Sequence, residues 1–296
     1  MAKARAIIKR RRAVQNIRKI TRTMQLIATA QFQAAFNRAT KTKPYTEGIT
    51  ELAEQISRSQ GGLEHPLLRR NSESSRCVLI VVTSNRGLCG GYNASLLRAA
   101  LAHIKQREEA GDTVDLHVMG RKGIAYFKFL GRPMVRTETR FEDKPQFAEI
   151  EPMAAGMMQT YERRQVDSVH VTYMRFVSAG VQRVQTVQLL PIGPPPVAAE
   201  VQPGPGPATT PVQYDFTPPA DELLEELLPE TIKVRLFQCF VDAAVSERVA
   251  RMVAMKAATD AAGDMIRTLT QQYNRARQSQ ITLELLDIVA GAEALR

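Results

Sequence analysis

Tryptophan is absent from this chain of 296 residues, and aromatic side chains make up only 6% of it. The apolar fraction is nevertheless 44%, which excludes wholesale disorder, so Ala, Leu, Ile and Met must supply most of the buried contacts. Such a composition is typical of helices packed against helices. Long apolar runs are also missing: the longest is six residues, Cys77–Val82, which excludes a segment that spans a bilayer.

Cysteine and histidine are equally scarce. Three widely spaced cysteines exclude a disulfide framework and a zinc site built from cysteines, and they favour a reducing compartment. The four histidines, His65, His103, His117 and His170, show no metal-ligand spacing with each other or with cysteine. We therefore expect no metal ion and no cofactor. The N-terminus also lacks the apolar core of a secretory signal, so ordinary secretion is not expected.

Acidic residues are missing from the first 46 positions, which hold twelve lysines and arginines. The net charge of +10 belongs to this segment, because the other 250 residues carry 28 basic and 30 acidic groups. The charge therefore describes a local surface and not a field of the whole protein. Such a surface suits either a nucleic acid or a ring of acidic protein partners.

The N-terminal segment has the pattern of one long helix over residues 2–58. Its apolar side chains recur at spacings of 3 and 4 along one stripe, namely Ile17, Ile20, Met24 and Ile27, with Ile7 and Val14 upstream. Pro44 should kink or interrupt this helix near Lys43, and the Gly61-Gly62 pair should end it.

The C-terminal segment has no proline from Glu230 onward, and it repeats the helical spacing at Val245, Val249 and Met252 and again from Ile266. Sixty-odd helical residues would extend roughly 100 Å, whereas a compact domain of this chain's size is only about 40 Å across. The helix must therefore project, and its apolar seam needs a partner. We predict that the N-terminal helix runs antiparallel to it as a coiled coil.

Between the two helices the periodicity changes. Short β-branched runs (Cys77–Ser84, Val114–Met119, Val166–Met174 and Val181–Leu190) alternate with helical stretches, which predicts a mainly parallel sheet with helices on both faces. Residues 191–219 hold ten of the sixteen prolines and predict a surface loop. A spacer without function is one reading of that loop.

The predicted fold class is α/β plus a long antiparallel coiled coil, with a Rossmann-like domain inserted between the paired terminal helices. The predicted domains are an N-terminal coiled-coil helix (1–60), the α/β domain (61–190), a Pro/Gly-rich loop (191–220) and a C-terminal coiled-coil helix (221–296). The final residues turn apolar from Ile281 onward, which suggests a surface enclosed by another protein. That this end folds back onto the helix pair is the alternative.

Catalytic motifs are not found in the sequence. It contains no GxxxxGK[ST] phosphate loop, and the glycines of NRGLCGGYN (85–93) do not form GxGxxG. Tight-turn or packing glycines are the favoured interpretation, and Cys89 within the loop is more simply a buried small side chain than a nucleophile.

Several long blocks resemble the gamma subunit of F-type rotary ATP synthase. They are AVQNIRKITRTMQLIATAQ (13–31), SNRGLCGGYN (84–93), MGRKG (119–123), SERVARMVAMKAATDAAGDMI (246–266) and YNRARQSQITLELLDIVAGA (273–292). The resemblance covers both ends and the middle of the chain. It implies a non-catalytic central shaft, which couples rotation of the c ring to sequential changes at the catalytic beta subunits. The implied partners are the alpha and beta ring, epsilon and the c ring, on the cytoplasmic side of a bacterial inner membrane.

The resemblance also implies roles for particular residues. Arg277 and Gln278 match a catch that hydrogen-bonds a beta-subunit loop, while Met24 and Arg251 match positions that affect coupling. Six basic residues become a collar facing acidic residues of the ring: Arg10, Arg11, Arg12, Arg18, Lys19 and Arg22. Phe216 and Thr217 stand at the foot facing the c ring and epsilon, where relatives carry an acidic, aromatic segment, so a glutamate contact is not expected here.

Two other functions remain as alternatives. A coiled-coil protein that binds nucleic acid is compatible with residues 1–46, although only Phe32, Phe36 and Tyr45 are available there to stack on bases. A small nucleotide enzyme built on residues 77–190 is compatible with the α/β pattern but lacks a phosphate loop.

Overall fold

The computed structural model describes residues 2–59, 65–141, 144–192 and 220–293. They form two compact units. Unit 1 comprises Met1–Gln31, Leu88–Gly90 and Ala250–Arg296, and unit 2 comprises Phe32–Gly87 and Gly91–Val249. The elements in chain order are α1 (Ala2–Ser59), β1 (Arg76–Val82), α2 (Tyr92–Glu109), β2 (Thr113–Met119), α3 (Arg121–Phe129), β3 (Arg136–Glu138), α4 (Phe147–Glu162), β4 (Ser168–Ser178), β5 (Val181–Leu190) and α5 (Ala220–Glu293).

Unit 2 contains a five-stranded sheet in the order β3-β2-β1-β4-β5. The first four strands are parallel, and β5 returns antiparallel beside β4. β1 lies in the centre, so its β-branched side chains are covered on both faces, as the continuous apolar run predicts. The parallel sheet and its flanking helices confirm the predicted α/β class.

Alternation along β1 divides the interior of unit 2 into two layers. Val78, Ile80 and Val82 face a core shared with α4 and α5, where Tyr161 and Phe240 are buried. Leu79 and Val81 face the opposite way, toward α2 and α3. Successive side chains of a strand point to opposite faces, and a helix layer covers each face here.

The terminal helices pair antiparallel within unit 2. Ala35 and Ala39 of α1 pack against Val241 and Val245 of α5 in one buried cluster. Farther along α1, the hydroxyls of Thr42 and Thr46 lie 3.4 and 3.5 Å from Oε1 of Gln238, which precedes Val241. Residue numbers thus increase along α1 while those of the contacting residues on α5 decrease, so the two helices are antiparallel.

The same antiparallel pairing holds within unit 1. Val14, Ala262 and Leu269 share a buried cluster with Ile7 and Ile266 at its margin. The buried positions Val14, Thr21 and Ala28 on α1 are seven residues apart, which is the repeat of a coiled-coil seam. The paired terminal helices complete the predicted fold class.

The structure corrects the predicted stripe on α1. Ile7 and Val14 lie on the seam, but Ile17, Ile20 and Ile27 are more than half exposed. A single partner helix covers only a narrow strip, whereas apolar side chains on α1 extend over a broader face. Spacings of 3 and 4 identified the helix correctly, but the stripe that they marked mixes seam residues with three exposed isoleucines.

The structure also tests the predicted effect of proline on the two long helices. α1 continues through the exposed Pro44, so the helix is not interrupted there, and a kink at this point stays a prediction. α5 begins at Ala220 and contains Pro229. The expected end of α1 at Gly61-Gly62 and nearly all of the proline-rich loop lie outside the described residues, and the bounds of the four predicted domains remain a prediction.

Candidate functional site

The predicted basic collar lies on α1 in unit 1. Five of its members are exposed: Arg10, Arg12, Arg18, Lys19 and Arg22. All of these except Arg10 border a groove of about 600 Å³ lined by Arg12, Gln15, Asn16, Arg18, Lys19, Arg22 and Ile266. The lining supplies four cations and no carboxylate, so the groove attracts anionic groups.

Arg11, the sixth member, faces the partner helix. Its guanidinium lies 5.5 Å from the ring centroid of Tyr273, within the range of a cation–π contact, and the side chain is half-buried. Arg18 also extends across α5, because a Cβ at Gly263 would lie 3.9 Å from its guanidinium carbon. Arg11 therefore helps to hold the two helices together, and the other five form the exposed surface.

The predicted catch residues lie farther along α5. Arg277 and Gln278 are both exposed, whereas Tyr273 and Ala276 are half-buried on the side toward α1. Nothing else in α5 covers these two side chains, so another protein could contact both of them. The structure brings them to one turn, as their adjacency requires, and their role remains a prediction.

Beyond this point α5 outruns its partner helix. Arg11 stands opposite Tyr273, so an antiparallel register places the start of α1 near position 282. The apolar residues of this end are 46–71% exposed: Ile281, Leu283, Leu285, Leu286, Ile288 and Val289. α5 stays helical to Glu293, so the alternative that this end folds back is wrong.

Met24 and Arg251 occupy opposite helices of unit 1. Met24 is half-buried, and Arg251 is buried with 9% exposure. The hydrogen bond between Thr21 and Thr259 sets the register and places Met24 opposite Lys256. Arg251 follows about 7–8 Å farther along the helix axis. Their functional coupling remains a prediction, and the foot residues Phe216 and Thr217 lie outside the described residues.

Side chains of the 84–93 loop form hydrogen bonds within the loop and to neighbouring backbone. Ser84 donates its hydroxyl to the Arg86 carbonyl at 2.7 Å. Asn93 accepts from the Ser84 amide at 3.1 Å. Asn85 accepts from the Arg121 amide at 2.9 Å and donates to the Thr139 carbonyl at 2.9 Å. Gly90 has a positive φ of 58°, and Cys89 is buried. The tight-turn interpretation of this motif is therefore confirmed.

The MGRKG block marks a close approach of backbone segments. Thr83 donates its hydroxyl to the Met119 carbonyl at 2.7 Å and accepts from the Gly123 amide at 2.9 Å. A Cβ at Gly120 would lie 2.2 Å from the Thr83 carbonyl oxygen, and Gly120 has a φ of 97°. Glycine is required there on both grounds.

One cluster was missed in the sequence. Cys77, His103 and His170 have ligand atoms that all lie within 4.8 Å of one another. Their separations in sequence, 26 and 67 residues, resemble no local metal motif, so spacing alone could not show that the three side chains meet. Only the pairing of β1 with β4 beneath α2 could have revealed it.

Burial controls protonation in this cluster. It lowers the pKa of His103, and it lowers the pKa of His170 to about 3, with the positive charges of His103 and Arg107 adding to the shift. Burial also raises the pKa of the Cys77 thiol, although hydrogen bonding to Ser168 opposes this. Both imidazoles are therefore neutral near pH 7.

Comparison with known proteins decides the family. The profile of the ATP synthase family matches residues 3–295. An ATP synthase gamma chain from Rhodopirellula baltica is 44% identical over 295 residues, covering all of this chain and 99% of the relative. The chain belongs to the ATP synthase gamma chain family.

Other members of the gamma chain family match over the same length. A relative from Gemmatimonas aurantiaca is 37% identical over 298 residues and is covered completely. Among solved structures, a chain of the Euglena gracilis mitochondrial ATP synthase in rotational state 3 has a TM-score of 0.64 at 17% identity, covering 99% of this chain and 95% of that one. That likeness confirms the fold. No helix within the described ranges is long and apolar enough to cross a membrane.

Proposed function

We propose that the chain is the central rotary shaft of a proton-translocating ATP synthase. In this role it transmits c-ring rotation to the catalytic beta subunits and so couples proton flow to ATP synthesis. Membership of the gamma chain family carries the proposal, and the antiparallel helix pair of unit 1 supplies a suitable element.

The exposed surface of unit 1 supports enclosure by other subunits. Ile17, Ile20 and Ile27 on α1 are more than half exposed, as are most of the apolar side chains near the end of α5. Apolar surface of this extent marks a protein interface. The arginines and lysines of the collar stand on the same helix as these isoleucines, so an enclosing ring would present acidic and apolar groups together.

Asymmetry would give the shaft its effect. α1 carries the basic collar, whereas residues 250–293 of α5 hold five basic and five acidic side chains, so the two sides of the pair differ in charge. Inside a ring of alternating alpha and beta subunits, each beta subunit would meet a different side at any moment. The shaft would then favour open or closed beta conformations in turn, because only differential contact can shift such an equilibrium.

The chain itself is proposed to be non-catalytic, with no cofactor. Its partners would be alpha, beta, epsilon and the c ring, with no role for nucleic acid. It would lie on the cytoplasmic side of a bacterial inner membrane as a peripheral subunit, reaching the membrane only through the complex. Among its residues, Met24 and Arg251 would affect coupling, and Phe216 and Thr217 would stand nearest to the c ring and epsilon.

Replacement of Arg277 by alanine tests the catch. We expect ATP-driven torque to fall and the rate of coupled synthesis to drop by roughly 10- to 150-fold, because a charge-assisted hydrogen bond contributes ~1.5–3 kcal/mol. Assembly with alpha and beta should be unchanged, since many other contacts remain. Single-molecule rotation and proton-driven ATP synthesis in reconstituted vesicles would measure the effect.

Arg275→Ala is the matched control, because Arg275 is an exposed arginine two residues earlier on the same helix. It should leave torque and synthesis at the unsubstituted level. Removal of residues 289–296 should cause a milder loss than Arg277→Ala, because contact there would be spread over many weak interactions. Equal coupling in the Arg277 and Arg275 variants would refute the catch, and failure of the chain to join alpha and beta would refute the shaft.

A further inference from the structure

A cysteine and two histidines converge on one face of the sheet in unit 2. β1 and β4 are parallel neighbours, with Cys77 opposite Ser168 and Leu79 opposite His170. Residues two apart on a strand share a face, so Cys77 and His170 lie diagonally on the same side. That side is covered by α2, which contributes His103 from above.

The two imidazoles have unused ligand atoms. Nε2 of His103 and Nε2 of His170 are buried and have no hydrogen-bond partner. The His170 residue is only 8% exposed, and the His103 ring lies 4.7 Å from it between centroids. A buried nitrogen without a partner costs stability, so two such atoms at one place require an explanation.

The contacts of the Cys77 thiol are weak enough to give way to a metal, because sulfur is a poor hydrogen-bond donor and acceptor. Its Sγ lies 3.7 Å from the adjacent Val78 carbonyl, and it also hydrogen-bonds with Ser168 and Arg107. Arg107, the nearby cation, has its charge balanced by Asp112, with Nη2 and Oδ2 2.6 Å apart. Asp112 therefore offsets part of the positive charge that an incoming cation would meet at Arg107.

We propose that Cys77, His103 and His170 bind one Zn²⁺ ion. Thiolate sulfur and imidazole nitrogen are the ligands that zinc prefers, and the cluster offers no carboxylate for Mg²⁺ or Ca²⁺. Zinc bonds of about 2.0–2.3 Å place neighbouring ligand atoms about 3.3–3.7 Å apart. The three atoms, within 4.8 Å of one another, would each move inward by about 1 Å or less.

Binding would tie α2 to two strands of the sheet. The thiol proton is released to solvent as the sulfur–zinc bond forms, both imidazoles bind in their neutral form, and water can complete the tetrahedron. Because the three ligands come from β1, α2 and β4, the ion favours the folded form of unit 2 over the unfolded chain.

A competition titration on the full-length chain tests the site directly. After dialysis against EDTA, Zn²⁺ is added in the presence of a chromophoric chelator. We expect a single tight site, and a zinc-dependent rise of roughly 5–10 °C in the unfolding temperature of unit 2 at a hundredfold excess over Kd. Mg²⁺ at the same concentration should leave that temperature unchanged.

Substituted chains identify the ligands. His170→Gln should weaken zinc affinity on the order of 100-fold or more. Cys77→Ser should remove the near-ultraviolet thiolate-to-cobalt band that Co²⁺ gives with the unsubstituted chain. His117→Gln is the matched control, because His117 also has a buried, unpartnered nitrogen but stands opposite Ile80 in the sheet, on the other face. It should keep full affinity.

The unsubstituted chain alone can refute the site. Absence of competition with the chelator, or a cobalt spectrum without the thiolate band, would overturn the proposal even if a variant failed to fold. Zinc affinity that survives both Cys77→Ser and His170→Gln would place the ion elsewhere and overturn it equally. These measurements are independent of rotation and ATP synthesis, so they do not depend on the proposed function.

Discussion

Ala28→Asp is expected to destabilise the helix pairing of unit 1 by about 3–5 kcal/mol, because it puts an uncompensated carboxylate on the seam. Ala28 is 1% exposed and lies one seven-residue repeat beyond Thr21. Native-state hydrogen exchange should show faster exchange of the α5 amides at positions 250–270. In a reconstituted complex, ATP-driven rotation should be largely lost.

The matched control is Ala30→Asp. Ala30 is exposed on the same helix, two residues away, so the variant adds the same charge without burying it. Its effect on stability should be within about 0.5 kcal/mol. Similar exchange rates in the two variants would contradict the seam assignment, since only burial distinguishes the two positions.

Gly120→Ala should be the most damaging substitution in the sheet region, at about 3–5 kcal/mol. The new Cβ would stand 2.2 Å from the Thr83 carbonyl oxygen and 2.7 Å from its carbonyl carbon. Both neighbours are backbone atoms at the end of a central strand, so they cannot rotate away. Hydrogen exchange at β1 and β2 amides would measure the loss.

Gly111→Ala separates the steric effect from the conformational one. Gly111 has nearly the same φ, 93°, but no atom within 4 Å of the added Cβ. We expect a loss of only about 1 kcal/mol, from backbone strain alone. If the two variants were equally stable, crowding against Thr83 would not be the reason for glycine at position 120.

Local patterns predicted most elements of the fold. The β-branched run at β1 forms the central strand, and Val181–Leu190 forms β5 with the expected bounds. These elements could be predicted because the pattern of residues within each strand is enough to identify it. β3 was missed, since three residues, Arg136–Glu138, are too few to show alternation and exist as a strand only beside β2.

The surface of α1 shows what a single sequence cannot determine. Apolar residues occupy more of the helix than one partner helix can cover, so their spacing identifies no unique buried face. Thr21 is buried on the seam, where its hydroxyl meets that of Thr259, while the more hydrophobic Ile20 beside it is exposed. The cysteine–histidine cluster could not be predicted for a related reason, because its members are brought together only by strand pairing and helix docking.

The hydroxyl pair of Thr21 and Thr259 has a mechanical consequence. The two oxygens are 2.8 Å apart, and Thr259 also donates to the Met255 carbonyl at 2.7 Å. If one helix slid past the other by a heptad, Thr259 would face Val14 or Ala28, Thr21 would face Ile266 or Met252, and their mutual bond would be lost. The pair therefore resists sliding of α1 along α5. Under an applied torque the two helices would twist together and store elastic energy as a single torsional spring.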